Sequence, residues 1–134
     1  MSRIKAAIIR KNIRDFEKQR QQTLSELLDL DHLVRGSLAT VHTKCGKDNC
    51  RCKKGKGHPH ARISWSERGQ GYTRKVPKDE IVWCQKKIEN YRRFRSLKSK
   101  LKNLEANTKN LINDLEGIFV DGTRKDISFL WIKR

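Results

Sequence analysis

The chain has 134 residues, 35% of them hydrophobic and 35% charged, and carries a net charge of +17. So lean an apolar content leaves little material for a broad core and favours one small domain helped by a metal, a disulfide or a partner. No apolar run approaches the roughly 18 residues that a membrane-spanning helix needs, and the opening residues 1–11 lack the continuous apolar stretch of a secretory signal, so the chain reads as cytoplasmic and non-membrane.

From about Arg3 to Leu33 the pattern is helical. Ile9, Ile13, Phe16, Leu24, Leu27, Leu28 and Leu30 recur at three- and four-residue steps among Lys, Arg, Gln and Glu, which predicts an amphipathic helix stopped at Gly36. Residues 1–34 thus form an N-terminal helix. The β-branched run Ser37–Thr43 is of strand length, Ala61–Ser66 alternates apolar and polar side chains, and Tyr72–Val76 is a third strand. Gly69 and Gly71 mark the turn between the last two, which predicts a β-hairpin. Residues 35–76 are therefore expected to form a small three-stranded β-module.

Pro77 suits the first turn of a second helix, and Asp79 and Glu80 complement its positive end. Ile81, Cys84, Ile88, Tyr91 and Phe94 form one stripe. Leu97, Leu101, Leu104, Leu111, Leu115 and Ile118 continue it, with Thr108 in one slot and a phase slip near Phe94. This is coiled-coil periodicity, and residues 77–117 are expected to form a long basic helix ending near Gly117. Residues 118–134 are left as a tail, in which Ile127–Ile132 suits a strand or a short docking segment. The expected fold is α+β, mainly α: a long antiparallel helical hairpin or coiled coil capped by the small three-stranded β-module. A homodimer through the second helix is the rival arrangement.

Three cysteines and a histidine lie within fourteen residues: Cys45, Cys50, Cys52 and His58. Their loop is rich in Gly, Lys, Asp and Asn and has almost nothing apolar to bury, so something else must hold it. Reduced cytoplasmic thiols at this spacing point to a metal rather than to disulfides. Three thiolates and one imidazole complete a tetrahedral zinc shell of the closed, structural type. Neighbouring Lys44, Lys47, Arg51, Lys53 and Lys54 favour the thiolate forms that bind metal. His60 and His42 are alternative fourth ligands; His58 is preferred because the flexible Gly55-Lys56-Gly57 lets the chain turn back. Cys84 sits on the apolar helical stripe and reads as a core residue.

These residues also resemble a known family. Arg35-Gly36-Ser37, Cys45-Gly46-Lys47-x-Asn49-Cys50-x-Cys52, Gly57-His58, Thr73-Arg74, Val76-Pro77 and Glu89-Asn90-Tyr91-Arg92-Arg93-Phe94 are similar to small prokaryotic proteins catalogued as domain of unknown function 6788. The likeness covers roughly residues 35–101. It implies no activity, but it carries the expectation of a mobile-element setting. After His58 the chain departs from the family's pattern of Gly-Pro and aromatics. It has Pro59-His60-Ala61-Arg62 instead, which keeps His60 in contention as a ligand.

The charge suggests a partner. Residues 35–75 hold eleven basic and two acidic side chains, residues 86–102 eight against one, and residues 103–134 five of each. Candidate phosphate contacts are Lys44, Lys47, Arg51, Lys53, Lys54, Lys56, Arg62, Arg74 and Lys75 on the module. Arg92, Arg93, Arg95, Lys98, Lys100 and Lys102 add a helical set. Trp65 and Tyr72, with Trp83, are candidates for stacking on unpaired bases. The expected function is a zinc-stabilised DNA- or RNA-binding accessory protein that reads backbone or shape, since no helix-turn-helix or Cys2His2 spacing is present. The alternative is a coiled-coil adaptor for a recombinase or transposase, which the balanced charge beyond residue 102 suits. No catalytic residues are assigned. The deaminase signature and the phosphate-binding glycine loop are both missing, and a metal-dependent nuclease would need an open coordination position.

Overall fold

A computed structural model describes the backbone of residues 2–55 and 57–132, and the side chains of residues 3–120 apart from Cys52 and Lys56. The fold is mainly helical α+β: helix α1 (Ser2–Leu28), strands β1 (Ser37–Thr43), β2 (His58–Glu67) and β3 (Gln70–Val76), and helix α2 (Ile81–Ile132). The strands form one antiparallel sheet in the order β1-β2-β3. The chain divides into two compact units, residues 30–95 and residues 1–29 with 96–134. The division falls beside Phe94, where the apolar stripe of α2 slips phase.

In the unit of residues 30–95, Ala61, Ile63, Val76, Cys84 and Ile88 form the buried core, with Val34, Leu38, Trp65 and Ile81 packed on it. Alternation along β2 places Ala61, Ile63 and Trp65 on the face that meets α2, and His58, His60, Arg62 and Ser64 on the other. β2 and β3 are joined by a two-residue turn in which Arg68 has φ 51° and Gly69 φ 79°. Two positive φ values in succession are those of a type I′ turn, whose twist matches that of the strands. β2 starts at His58, three residues before its alternating stretch. Pro59 is tolerated there because residues 58–60 pair with β1 alone, so its missing N–H breaks no bond to β3. Pro77 precedes a short 3₁₀ turn (Lys78–Glu80) and accepts a hydrogen bond from the Glu80 N–H at 3.0 Å, leading into α2.

The first helix ends at Leu28, earlier than its sequence pattern suggests. The segment that follows is bound to α2 instead. Asp31 pairs with Lys87 at 3.4 Å, the Asp31 carbonyl accepts from Asn90 at 3.5 Å, and the Val34 N–H donates to the Lys87 carbonyl at 3.1 Å. His32 turns the chain with φ 46°. These contacts between distant residues outweigh local helix propensity, which is worth only tenths of a kcal/mol per residue.

In the other unit, the buried and half-buried positions of α1 are Ala6, Ile9, Ile13, Phe16, Arg20, Thr23 and Leu27, with Glu17, Leu24 and Glu26 flanking them. Thr23 is fully buried, and its hydroxyl donates to the Gln19 carbonyl at 2.7 Å. Leu28, expected on the apolar stripe, is 71% exposed. Arg20 grips Glu17 through two hydrogen bonds of 2.9 and 2.8 Å, which hold the Glu17 carboxyl below its ordinary range. On α2, Leu97 and Leu104 are buried, and Leu101, Thr108, Leu111, Leu115 and Ile118 are half-buried. The Arg10 guanidinium lies 5.0 Å from the centre of the Phe119 ring, and Arg20 is held in its charged form chiefly by its hydrogen bonds to Glu17, with a smaller contribution from the charge of Glu105.

Gly117 does not stop α2, which continues to Ile132, so residues 118–132 are neither strand nor irregular tail. An interior glycine costs about 1 kcal/mol relative to alanine. Fully burying one Leu or Ile is worth about 1.5–3 kcal/mol, so even half-burial of Leu111, Leu115 and Ile118 outweighs it. A Cβ at Gly117 would meet nothing within 4 Å. Gly117→Ala is therefore expected to raise stability to thermal or urea unfolding by about 0.5–1 kcal/mol; a fall would place a helix end there.

Candidate metal centre

Between β1 and β2 the chain makes a loop almost without apolar contact. After Thr43 it turns at Gly46 (φ 79°), and the Cys50 N–H donates to the Lys47 carbonyl at 3.3 Å. A 3₁₀ turn over Arg51–Lys54 follows, with the Lys53 N–H donating to the Cys50 carbonyl at 3.2 Å. Two lysines brace the loop, Lys44 donating to the Lys53 carbonyl at 3.2 Å and Lys53 pairing with Asp48 at 3.1 Å.

The loop closes at Gly57. Its φ is 97°, and a Cβ there would lie 2.5 Å from the Thr43 carbonyl carbon and 2.8 Å from the Lys44 nitrogen. Only glycine fits so close an approach. His58 is the Cα partner of Thr43 across the β1–β2 ladder, so closure brings its ring to the thiols that follow β1. Cys45 Sγ, Cys50 Sγ and a His58 ring nitrogen all lie within 4.8 Å of one another. Cys50 is half-buried, and Cys45 and His58 are exposed.

Donors around a tetrahedral ion with metal–sulfur bonds of about 2.3 Å sit about 3.8 Å apart, and sulfur and nitrogen about 3.5 Å apart. The group fits such an ion with small adjustments. Cys50 Sγ and His58 Nε2 are 3.0 Å apart, a thiol–imidazole hydrogen bond; taking up an ion there means opening this pair by about half an ångström. Two thiolates and an imidazole are soft to borderline donors, suited to thiophilic ions rather than to calcium or magnesium.

Cys52 lies on the 3₁₀ turn, but its side chain, like that of Lys56, is outside the described residues. His60 is held elsewhere: the Thr43 hydroxyl lies 2.9 Å from its Nδ1. His42 is opposite Pro59 in the register and, by strand alternation, faces away from Thr43 and His58. Cys84 is buried among Ala61, Ile63, Val76 and Ile88, away from the cluster.

The other predicted residues occupy several places. Lys44, Lys47, Arg51, Lys53, Lys54, Arg74 and Lys75 are exposed, and half-buried Arg62 donates to the Thr73 hydroxyl at 3.2 Å. Trp65 and Tyr72 stack on each other with ring centres 5.6 Å apart, and Trp83 lies 6.4 Å from His32. Arg92, Arg93 and Arg95 belong to the unit of residues 30–95; Lys98, Lys100 and Lys102 belong to the other. Sequence reasoning had Gly57 as part of the flexible turn before His58 but missed Thr43, whose carbonyl packs against Gly57 and whose hydroxyl engages His60. The signal was a glycine directly before a candidate ligand.

Sheet, helices and cluster define a small, mainly helical α+β protein with a Cys/His group able to hold a metal ion. The chain belongs to the family described as domain of unknown function (DUF6788), whose sequence model matches residues 13–86. The match extends further into α1 than the motif resemblance did and stops before Glu89–Phe94. No curated protein and no solved structure matches the chain. Among the described residues, no helix is long and apolar enough to cross a membrane.

Cobalt(II) titration tests the centre directly. The protein is expected to give sulfur-to-metal charge-transfer absorption, lost in Cys50→Ser. Gly57→Ala is expected to weaken uptake about 10–100-fold, as loss of supporting contacts around metal ligands does. Full retention of the band in Cys50→Ser would place the metal elsewhere.

Proposed function

We propose that the protein is a zinc-stabilised, basic accessory protein that binds nucleic acid through its backbone or shape. The observation that carries this reading is the charge around the metal loop. Residues 35–75 hold eleven cations against two carboxylates, and one of those, Asp48, is already engaged by Lys53. Lys47, Arg51 and Lys54 are exposed on the loop and Lys75 on the sheet. Cations in such excess repel one another, and a polyanion relieves that repulsion while releasing its own counterions. Zinc is the ion we assign, with Cys45, Cys50 and His58 as ligands and Cys52 as the fourth. Its role is structural: it holds the lysine-rich loop in one shape. Zinc binding of this kind is worth about 10–16 kcal/mol in small sites, ample to order a loop with no core of its own. The hydrophobic core of the same unit contains no residue of the loop, so chelation is expected to release residues 44–57 while the sheet persists.

No catalytic role is assigned, and the link to a mobile element rests on the family resemblance alone. A second reading, a coiled-coil adaptor for a recombinase or transposase, draws on the other unit. Ala6, Ile9, Ile13, Phe16, Arg20, Thr23 and Leu27 follow heptad spacing. Arg10 meets Phe119 while Arg20 feels Glu105, the order expected of antiparallel neighbours. We read α1 and the distal part of α2 as an intrachain hairpin of coiled-coil type. Light scattering is then expected to give a monomer mass independent of concentration; a stable dimer would favour the adaptor.

Binding to labelled DNA and RNA of mixed sequence tests the main reading. With about six phosphates contacted, log affinity falls against log salt with a slope of about −5. Replacing Lys47, Arg51 and Lys54 by Gln is expected to flatten it by about 2–3. Absence of binding at low salt would contradict the proposal.

A further inference from the structure

A second cluster of cations lies apart from the metal loop. Gly36, at φ 133°, presses the chain entering β1 against β2; a Cβ there would lie 2.7 Å from the Ser64 carbonyl oxygen. The preceding segment is tied to α2 by the Val34–Lys87 hydrogen bond. These two constraints set Arg35 beside the next turn of α2, where its guanidinium lies 5.8 Å from the centre of the Tyr91 ring. Arg95, one turn further on, lies 5.9 Å from the same ring. Both arginines line a cavity of about 490 Å³ with Ser37, Ser64, Ser66 and Tyr91.

Among the described residues, no acidic side chain lines this cavity. Among the described residues, neither Arg35 nor Arg95 has a carboxylate within ion-pair distance. The aromatic face offsets part of the repulsion between the two guanidiniums but neutralises neither. Planar guanidiniums donate in pairs to the oxygens of a phosphate. A dianion is thus the complement of this site, and an aromatic wall beside it suits a phosphate that carries a ring. Arg35-Gly36-Ser37 and Tyr91, from two stretches that carry the family resemblance, line this cavity.

The geometry points to a phosphate-binding site between Arg35 and Arg95, able to take a phosphoryl group from a free nucleotide or from a nucleic-acid strand. It goes beyond the charge of the metal loop and does not depend on it. A purely structural pairing of the arginines with Tyr91 would give no response to phosphate.

The test follows the side-chain Nε resonances of Arg35 and Arg95 in the full chain, titrated separately with inorganic phosphate, AMP, and short single-stranded DNA with or without a 5′-phosphate. Each arginine signal is expected to move with phosphate. Arg35→Gln or Arg95→Gln is expected to weaken binding roughly 10–100-fold, as loss of a charge-assisted hydrogen bond does. A preference for the 5′-phosphorylated strand that disappears in the double variant identifies a strand end as the source. Equal binding of both strands identifies the phosphodiester backbone, and binding of phosphate and AMP alone identifies a free nucleotide. Unmoved arginine signals with every probe, in protein whose amide spectrum is that of the folded chain, would overturn the site. Loss of strand binding at the metal loop with the phosphate response intact would sink the nucleic-acid proposal and leave this one standing.

Discussion

Gly57 holds a backbone conformation with the carbonyl of Thr43 where a side chain would begin. The rest of the candidate metal centre depends on that contact. It closes a loop of fourteen residues at its base, sets His58 opposite Thr43, and so brings an imidazole to two thiols supplied from the other side of the closure. Loop closure of this length costs chain entropy that a polar loop cannot recover by burial. The sheet register meets part of that cost in advance, and a metal ion would meet the remainder.

The unit around the sheet is therefore held in two different ways. One end has an ordinary hydrophobic core, in which Ile63 and Val76 meet Cys84 and Ile88. At the other end no described residue of the loop joins that core, and the chain is built from glycine turns, a lysine-to-carbonyl hydrogen bond and soft donors. This division explains why Cys84 and Cys50 differ so much in setting: one thiol is packing, the other is paired with an imidazole at 3.0 Å. It also explains how so many cations are tolerated on one small unit. Lys44, Lys47, Arg51, Lys53 and Lys54 stand exposed on the loop, where water screens them.

Much of this was legible from residue spacing. The stripe Ile81, Cys84, Ile88, Tyr91, Phe94 and Leu97 is buried or half-buried throughout, because helical period and burial are tied by geometry. β1 followed from a β-branched run, β2 from alternation, and the β2–β3 hairpin from the glycines at 69 and 71. Long-range contacts were what spacing did not reveal. Nothing local to Asp31 or Val34 announces that they will bind Lys87 and end α1 at Leu28. Thr23 and Arg20 occupy heptad slots that an apolar pattern skips, since a threonine can satisfy its hydroxyl within the helix. Gly117 looked like a stop because glycine often is one, yet the flanking leucines continue the stripe. At the metal centre, the cluster of Cys45, Cys50 and His58 was foreseeable from composition, whereas the engagement of His60 by Thr43 depends on strand register.

The central claim is that the loop between β1 and β2 is organised by a metal ion held through sulfur and imidazole. X-ray absorption spectroscopy of the zinc-loaded protein tests it most directly. The account predicts a four-coordinate shell dominated by sulfur at about 2.3 Å, with nitrogen at about 2.0–2.1 Å and the outer scattering of an imidazole ring. A shell of oxygen and nitrogen alone, without sulfur, would contradict it.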